Sequence, residues 1–354
     1  MKIDRYNRVI RDSKFAWSFP ASFTRRHGGS KGIVLVCLCI VFLTFSALDW
    51  QITVADTPYD ETAAAAAPSD QAAVMENEDA AKKLLRRVIF QLASGPAFES
   101  KVRQRVWTTG REVVGVGTYE QSGHTSGQFN FQMTMHDGEG KHTLQQMSDG
   151  RLAWTRTEVA GEISLRRVDV ARLDEWSASS QHDGMLPLRV RVGGWIELLE
   201  QIQLDHQLQI ASGKLQGQPV WVVTATLPQS KQDHILQTSG RDQWPTLYPV
   251  KVCVVISKVG NQETGFGKFM PLRIEHWSRE MDPPSGPEPE EIPQAERLIS
   301  LVELYSIRQI APPPIERFRF ENRDAEVNFT NETDRYLKRF GVNVAELAPI
   351  KQYR

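Results

Sequence analysis

The chain has 354 residues and a mass of 40.1 kDa, room for one large domain or two small ones. Its 40% hydrophobic and 24% charged residues exclude a wholly disordered chain and a polytopic membrane protein. Charge is unevenly placed: residues 1–55 hold eight Lys/Arg and three Asp, which leaves 34 basic and 40 acidic residues beyond them, a net charge of −6. A body of that sign argues against duplex nucleic acid as a partner, because phosphate binding relies on Lys and Arg.

The N-terminus reads as an address. Residues 1–32 form a basic region, and Ile33 to Leu48 run sixteen residues without a charge behind Arg25, Arg26 and Lys31. A basic flank before an apolar run leaves the N-terminus in the cytoplasm and exports the remainder of the chain. Sixteen residues lie between a signal-peptide apolar core and a full spanning helix, so segment 33–50 is either a retained signal anchor or a cleaved signal peptide. Cys37 and Cys39 fall inside this run and leave Cys253 alone beyond it, so no disulfide closes within the exported part. Residues 51–76, with AAAAAPSDQAA, read as a flexible linker.

From Asp79 the pattern is helical, with Leu84, Leu85, Val88, Ile89 and Leu92 on one stripe and Gly95-Pro96 as its stop. Beyond Glu99 the period changes to two. Phe129, Phe131, Met133 and Met135 alternate with polar residues in GQFNFQMTMH. Its neighbours 101–108, 112–120, 142–147, 152–157 and 163–168 are joined by tight turns, which predicts an antiparallel meander. Two helical segments come next: Val170, Leu173 and Trp176 recur every third residue, with Asp169 as the expected N-cap, and GGWIELLEQIQL places Trp195, Leu198, Leu199 and Ile202 on one face. Strands resume at 207–210, 219–227, 250–257, 272–277 and 298–307, and the proline-rich, acidic 281–293 reads as a loop. The fold class is α+β: a strongly curved antiparallel sheet, a half-barrel with a few covering helices, over residues 77–335, ending in a tail, 336–354.

Chemistry-bearing motifs are absent. Gly115-Val116-Gly117 has Glu120 where a third glycine would complete a dinucleotide loop, and GNQETGFGK (260–268) has Phe266 in place of the phosphate-binding lysine. His124, His136 and His142 sit around one hairpin and read as solvated loop residues. No Gly-x-Ser-x-Gly accompanies Asp205-His206. No metal, no cofactor and no catalytic residue is expected.

The order of elements resembles the LolA/LolB-like superfamily of periplasmic lipoprotein carriers. The resembling stretches are 97–121 (AFESKVRQRVWTTGREVVGVGTYEQ), GQFNFQMTM (127–135), SDGRLAW (148–154), RRVDVARL (166–173), GQPVWVVTATL (217–227) and PLRIEHW (271–277). The resemblance implies an incomplete barrel that holds acyl chains between sheet and helices. Carried onto this chain, the lipid-cavity candidates are Val114, Val116, Phe129, Phe131, Met133, Met135, Trp154, Trp195, Leu199 and Trp221. Flexible Met side chains suit varied acyl chains, though the same stripe also serves as plain core. Lys101, Arg103 and Arg105 share one strand face, and are candidates for lipid headgroups or an acidic envelope partner. The expected location is a bacterial-type cell envelope, with the body in the periplasm. Two functions stay open: binding a lipid or lipoprotein acyl chain, or a tethered interaction or sensory module with a filled core.

Overall fold

A computed structural model describes residues 68–108, 111–138, 140–179, 191–279, 296–323 and 326–339. The apolar run Ile33–Leu48 and the 281–293 loop lie outside the described residues. Among the described residues no helix is long and apolar enough to cross a membrane.

One twelve-stranded sheet organises the chain. Strands β1 (Phe98–Thr108), β2 (Arg111–Gln121), β3 (Gln128–His136), β4 (Lys141–Asp149), β5 (Leu152–Val159) and β6 (Glu162–Asp169) form an antiparallel meander. The chain then crosses through α2 (Val170–Ser179) and α3 (Gly194–Asp205) to the far edge. A second meander returns from there: β7 (Gln207–Leu215), β8 (Gln218–Thr226), β9 (Lys251–Ser257), β10 (Pro271–Arg279) and β11 (Glu296–Gln309). Strand β11 pairs with β1 and joins the two halves. The edges, β12 (Phe329–Asn331) beside β6 and β7 at the other end, do not meet. The result is a curved, unclosed sheet.

Alternation fixes which side is inside. In β3, Phe129, Phe131, Met133 and Met135 are buried, while Gln132 and His136 are exposed. Those four share a core with Leu84, Leu85, Val88 and Leu92 of α1 (Pro68–Ser94) and with Trp195, Leu199 and Ile202 of α3. Thus α1 and α3 fill the concave face. Gly117 shows why glycine occupies β2: a Cβ there would stand 2.1 Å from the Gln132 carbonyl oxygen of β3.

Two boundaries and one element differ from the sequence reading. Helix α1 begins at Pro68, inside the stretch expected to be linker, because proline is favoured in a first helical turn and the core further along anchors the helix. The body continues past 335: in α5 (Thr333–Arg339) Leu337 is fully buried. A further helix, α4 (Gln229–Ser239), had no apolar periodicity to announce it, and Gln232 is its one buried residue. The expected cap is present, with Arg172 N–H donating to Asp169 Oδ1 at 3.1 Å. His142 is not solvated: it is 3% exposed, 3.1 Å from Asp137, and its Nδ1 accepts from Ala160 N–H at 3.3 Å.

The C-terminal segment wraps one edge. After β11 it crosses the convex face through a 3-10 turn (Ile315–Phe318), pairs as β12 parallel to β6, and turns inward as α5. Phe318 is buried beneath it, and Arg317 reaches Glu120 at 3.2 Å.

Candidate functional site

The interior between sheet and helices is built from aromatic rings and thioethers. Tyr119 is its hub: it stacks on Phe129 at 5.9 Å and meets Trp195 and Phe98 at 5.7 Å. Phe131 meets Trp195 edge-on at 5.7 Å. Such pairs favour offset and edge geometries, which orders the rings without hydrogen bonds. The Tyr119 hydroxyl donates to Gln121 Oε1 at 2.7 Å, and Gln121 Nε2 donates in turn to the Leu92 carbonyl at the end of α1. Burial pushes the Tyr119 pKa well above its ordinary value, so this hydroxyl remains a donor.

A small cleft, open in part to solvent and with room for about one water molecule (about 10 Å³), borders these rings. Tyr119, Phe129, Val192 and Ile196 supply its apolar lining, and Gln121, Gln128 and Arg191 its polar one. Two glycines let α3 come this close. Gly193 and Gly194 have φ of +84° and +66°, and a Cβ on Gly193 would stand 2.8 Å from Phe129 Cζ.

A polar cluster seats the helix behind the cleft. Glu197, 9% exposed, accepts from Gly193 N–H, from Arg339 at 3.0 Å and from the Tyr336 hydroxyl at 3.3 Å. Burial first, and the Glu197 charge second, raise the pKa of neighbouring Glu200 to about 7. At the other end of α3, His206 and the fully buried His276 are both lowered to about 4 by burial.

The sequence candidates divide between the two faces. Phe129, Phe131, Met133, Met135, Trp195 and Leu199 lie in the interior core, and Trp221 is half-buried against it. Val114 and Val116 do not: they are 45% and 55% exposed, because register sets them beside Arg105 and Arg103 on the convex face. The inward positions of β2 are Val113, Gly115, Gly117 and Tyr119, one residue out of phase with the expectation. Trp154 also faces outward, stacked on Phe320 at 5.0 Å under the C-terminal segment. On that convex face Arg103 donates to Glu303, Arg105 lies 3.7 Å from Glu112, and Lys101 is exposed. The membrane-anchor candidates Ile33 and Leu48 lie outside the described residues.

Tyr119, Gln121, Gly193 and Ile196 escaped the sequence reading. Tyr119 carried a signal in its place at inward phase after Gly117, whereas the Gly193-Gly194 approach depends on how α3 lands on β3.

No protein-family model matches this chain, and no curated protein matches it. Among solved structures, the fold is similar to that of a LolA superfamily protein from Nitrosomonas europaea, with 13% identity, a TM-score of 0.26, and 68% of this chain and 97% of that one covered. LprF from Mycobacterium bovis is similar at 11% identity and a TM-score of 0.31, over 67% of this chain and 97% of that one. The MucA/MucB complex structure from Pseudomonas aeruginosa matches at 13% identity and a TM-score of 0.31, over 71% of this chain and 63% of that one. The resemblance is one of architecture, and no residue role is carried across.

Proposed function

We propose that the protein is a non-catalytic binding protein of a bacterial-type cell envelope that takes a lipid acyl chain, free or on a lipoprotein, between its concave sheet and helices α1 and α3. The observation that carries this reading is the small cleft at Tyr119, Phe129, Val192 and Ile196, behind which the flexible Met133 and Met135 of the packed interior would swing aside to admit a chain. Each acyl methylene buried there contributes about 0.8 kcal/mol, so binding needs no reactive group. Arg191 in the cleft lining supplies a charge for a carboxylate or phosphate end. In this proposal the apolar run Ile33–Leu48 directs the body to the periplasmic side, as anchor or as signal.

The test is mass spectrometry of organic extracts from protein purified after export, together with uptake of a fluorescent fatty acid. A stoichiometric lipid, and uptake reduced about tenfold by Gln128→Trp at the cleft mouth, are the expected results. That substitution sits at a half-buried position and spares the core. Lipid-free protein with no uptake sinks the reading.

A second reading, a tethered interaction module with a filled core, is favoured by the closeness of packing at Phe131, Met135, Trp195 and Leu199, each 1% exposed or less. It predicts the lipid-free outcome.

A further inference from the structure

Cations gather on aromatic faces where β9 turns into β10. Trp221 and Phe269 stack with centroids 5.4 Å apart and planes 4° from parallel. Lys258 Nζ lies 5.4 Å from the Trp221 ring centre and also donates to Ser212 Oγ at 2.7 Å. Lys268 Nζ lies 5.2 Å, and the Arg87 guanidinium 5.5 Å, from that of Phe269. Ring faces attract cations without using their hydrogen-bond donors. Among the described residues none of these three cations forms an ion pair with a carboxylate. Helix α1 adds exposed Lys83 and Arg86, and has no acidic residue between Asp79 and its end.

This patch belongs to the cleft end of the half-barrel. Phe266 of the same turn lies 6.2 Å from Phe98, which in turn packs on Tyr119. Two large apolar side chains stand beside the cations in solvent: Phe90 is 53% exposed and Val259 43%.

We infer that this rim docks on an anionic phospholipid surface, with the cleft end of the half-barrel turned toward the bilayer. The phosphate layer matches Arg86, Arg87, Lys258 and Lys268, and the adjoining apolar layer matches Phe90 and Val259. An acidic protein would satisfy the charges but leave those two apolar side chains unexplained. The convex-face basic residues are a poorer match, since Arg103 already serves Glu303. Docking is read from charge and exposure outside the interior and stands whether or not an acyl chain is held there.

The test uses the full chain with vesicles of phosphatidylcholine, alone or with about one-third phosphatidylglycerol, read by hydrogen exchange. Insertion of the N-terminal apolar run, common to the variants, does not enter the comparison among them. Segments 83–90 and 257–269 should slow on the anionic vesicles and not on the neutral ones. Each cation contributes roughly fivefold, so Arg87→Gln, Lys258→Gln and Lys268→Gln together should weaken docking roughly a hundredfold. Lys101→Gln with Arg105→Gln should leave it unchanged. Should the triple variant melt early, the single variants at exposed Arg87 and Lys268 carry the test. Equal slowing on both vesicles, or undiminished slowing in the charge-neutral variants, overturns the inference. So does protection by an acidic polypeptide where anionic vesicles give none.

Discussion

Asn77 grips both backbone groups of Ile210: its Oδ1 accepts from Ile210 N–H at 2.8 Å and its Nδ2 donates to the Ile210 carbonyl at 3.1 Å. Ile210 lies on β7, an edge strand with no neighbour beyond it. The amide of α1 thus stands in for one residue of a missing strand, and it closes a place where another chain would pair. Asn77→Ala should cost about 1–2 kcal/mol for two lost hydrogen bonds. It should also raise self-association, read by sedimentation velocity. A variant that melts like the parent and stays equally monomeric would show the edge is guarded elsewhere.

Glycines 115 and 117 make a matched pair on the inner phase of β2. A Cβ at Gly117 meets the Gln132 carbonyl at 2.1 Å, and backbone must move to admit it. At Gly115 the nearest atoms, at 3.1 Å, are the ends of the Met133 and Met135 side chains, which swing aside. Gly117→Ala should therefore cost about 1–3 kcal/mol in a denaturant melt, and Gly115→Ala clearly less. Equal costs would refute the backbone-clash explanation.

Arg339 ties the end of the described chain to α3 through Glu197 at 3.0 Å, after the segment has crossed the convex face. Removing it leaves a buried carboxylate with fewer donors, a loss of about 1–3 kcal/mol. Arg339→Ala should also speed hydrogen exchange in 329–339 before the rest of the body opens. Exchange that stays slow there would mean that buried Leu337 and Thr333, with the Tyr336 hydroxyl on Glu197, hold α5 without Arg339.

The sheet was legible because its strands alternate cleanly and its turns carry Asp-Gly and Gly signals, as at Asp149-Gly150 before β5. The interior stripe of β3 was legible for the same reason. Where both phases of a strand are apolar, periodicity cannot choose, and Val114 and Val116 were assigned inward when Gly115 and Gly117 hold that face. Trp154 misled differently. Its ring is covered by Phe320 and Phe329, residues distant in sequence, so apolar character was no guide to which face it occupied. The cation–aromatic rim combines α1, β8 and the β9–β10 turn, a juxtaposition that only topology creates.

Glu200 and His276 give stability opposite dependences on pH, and single variants separate them. Glu200 has a folded pKa raised to about 7 from 4.5, so its contribution is present below pH 4.5 and lost as pH rises through 7. Glu200→Gln should therefore gain about 2–3 kcal/mol over the parent between pH 5 and pH 8. His276 has a folded pKa lowered to about 4 from 6.5, so its contribution is present above 6.5 and lost as pH falls toward 4. Both ring nitrogens of His276 lack a partner among the described residues, so His276→Leu removes two polar atoms that burial penalises. Relative to the parent, it should be about 2 kcal/mol more favourable at pH 5 than at pH 7.5. Urea melts of the two variants across this range measure both slopes. A parallel offset at every pH in either variant would mean that the group titrates alike in the folded and unfolded chain, and that its burial does not govern its charge.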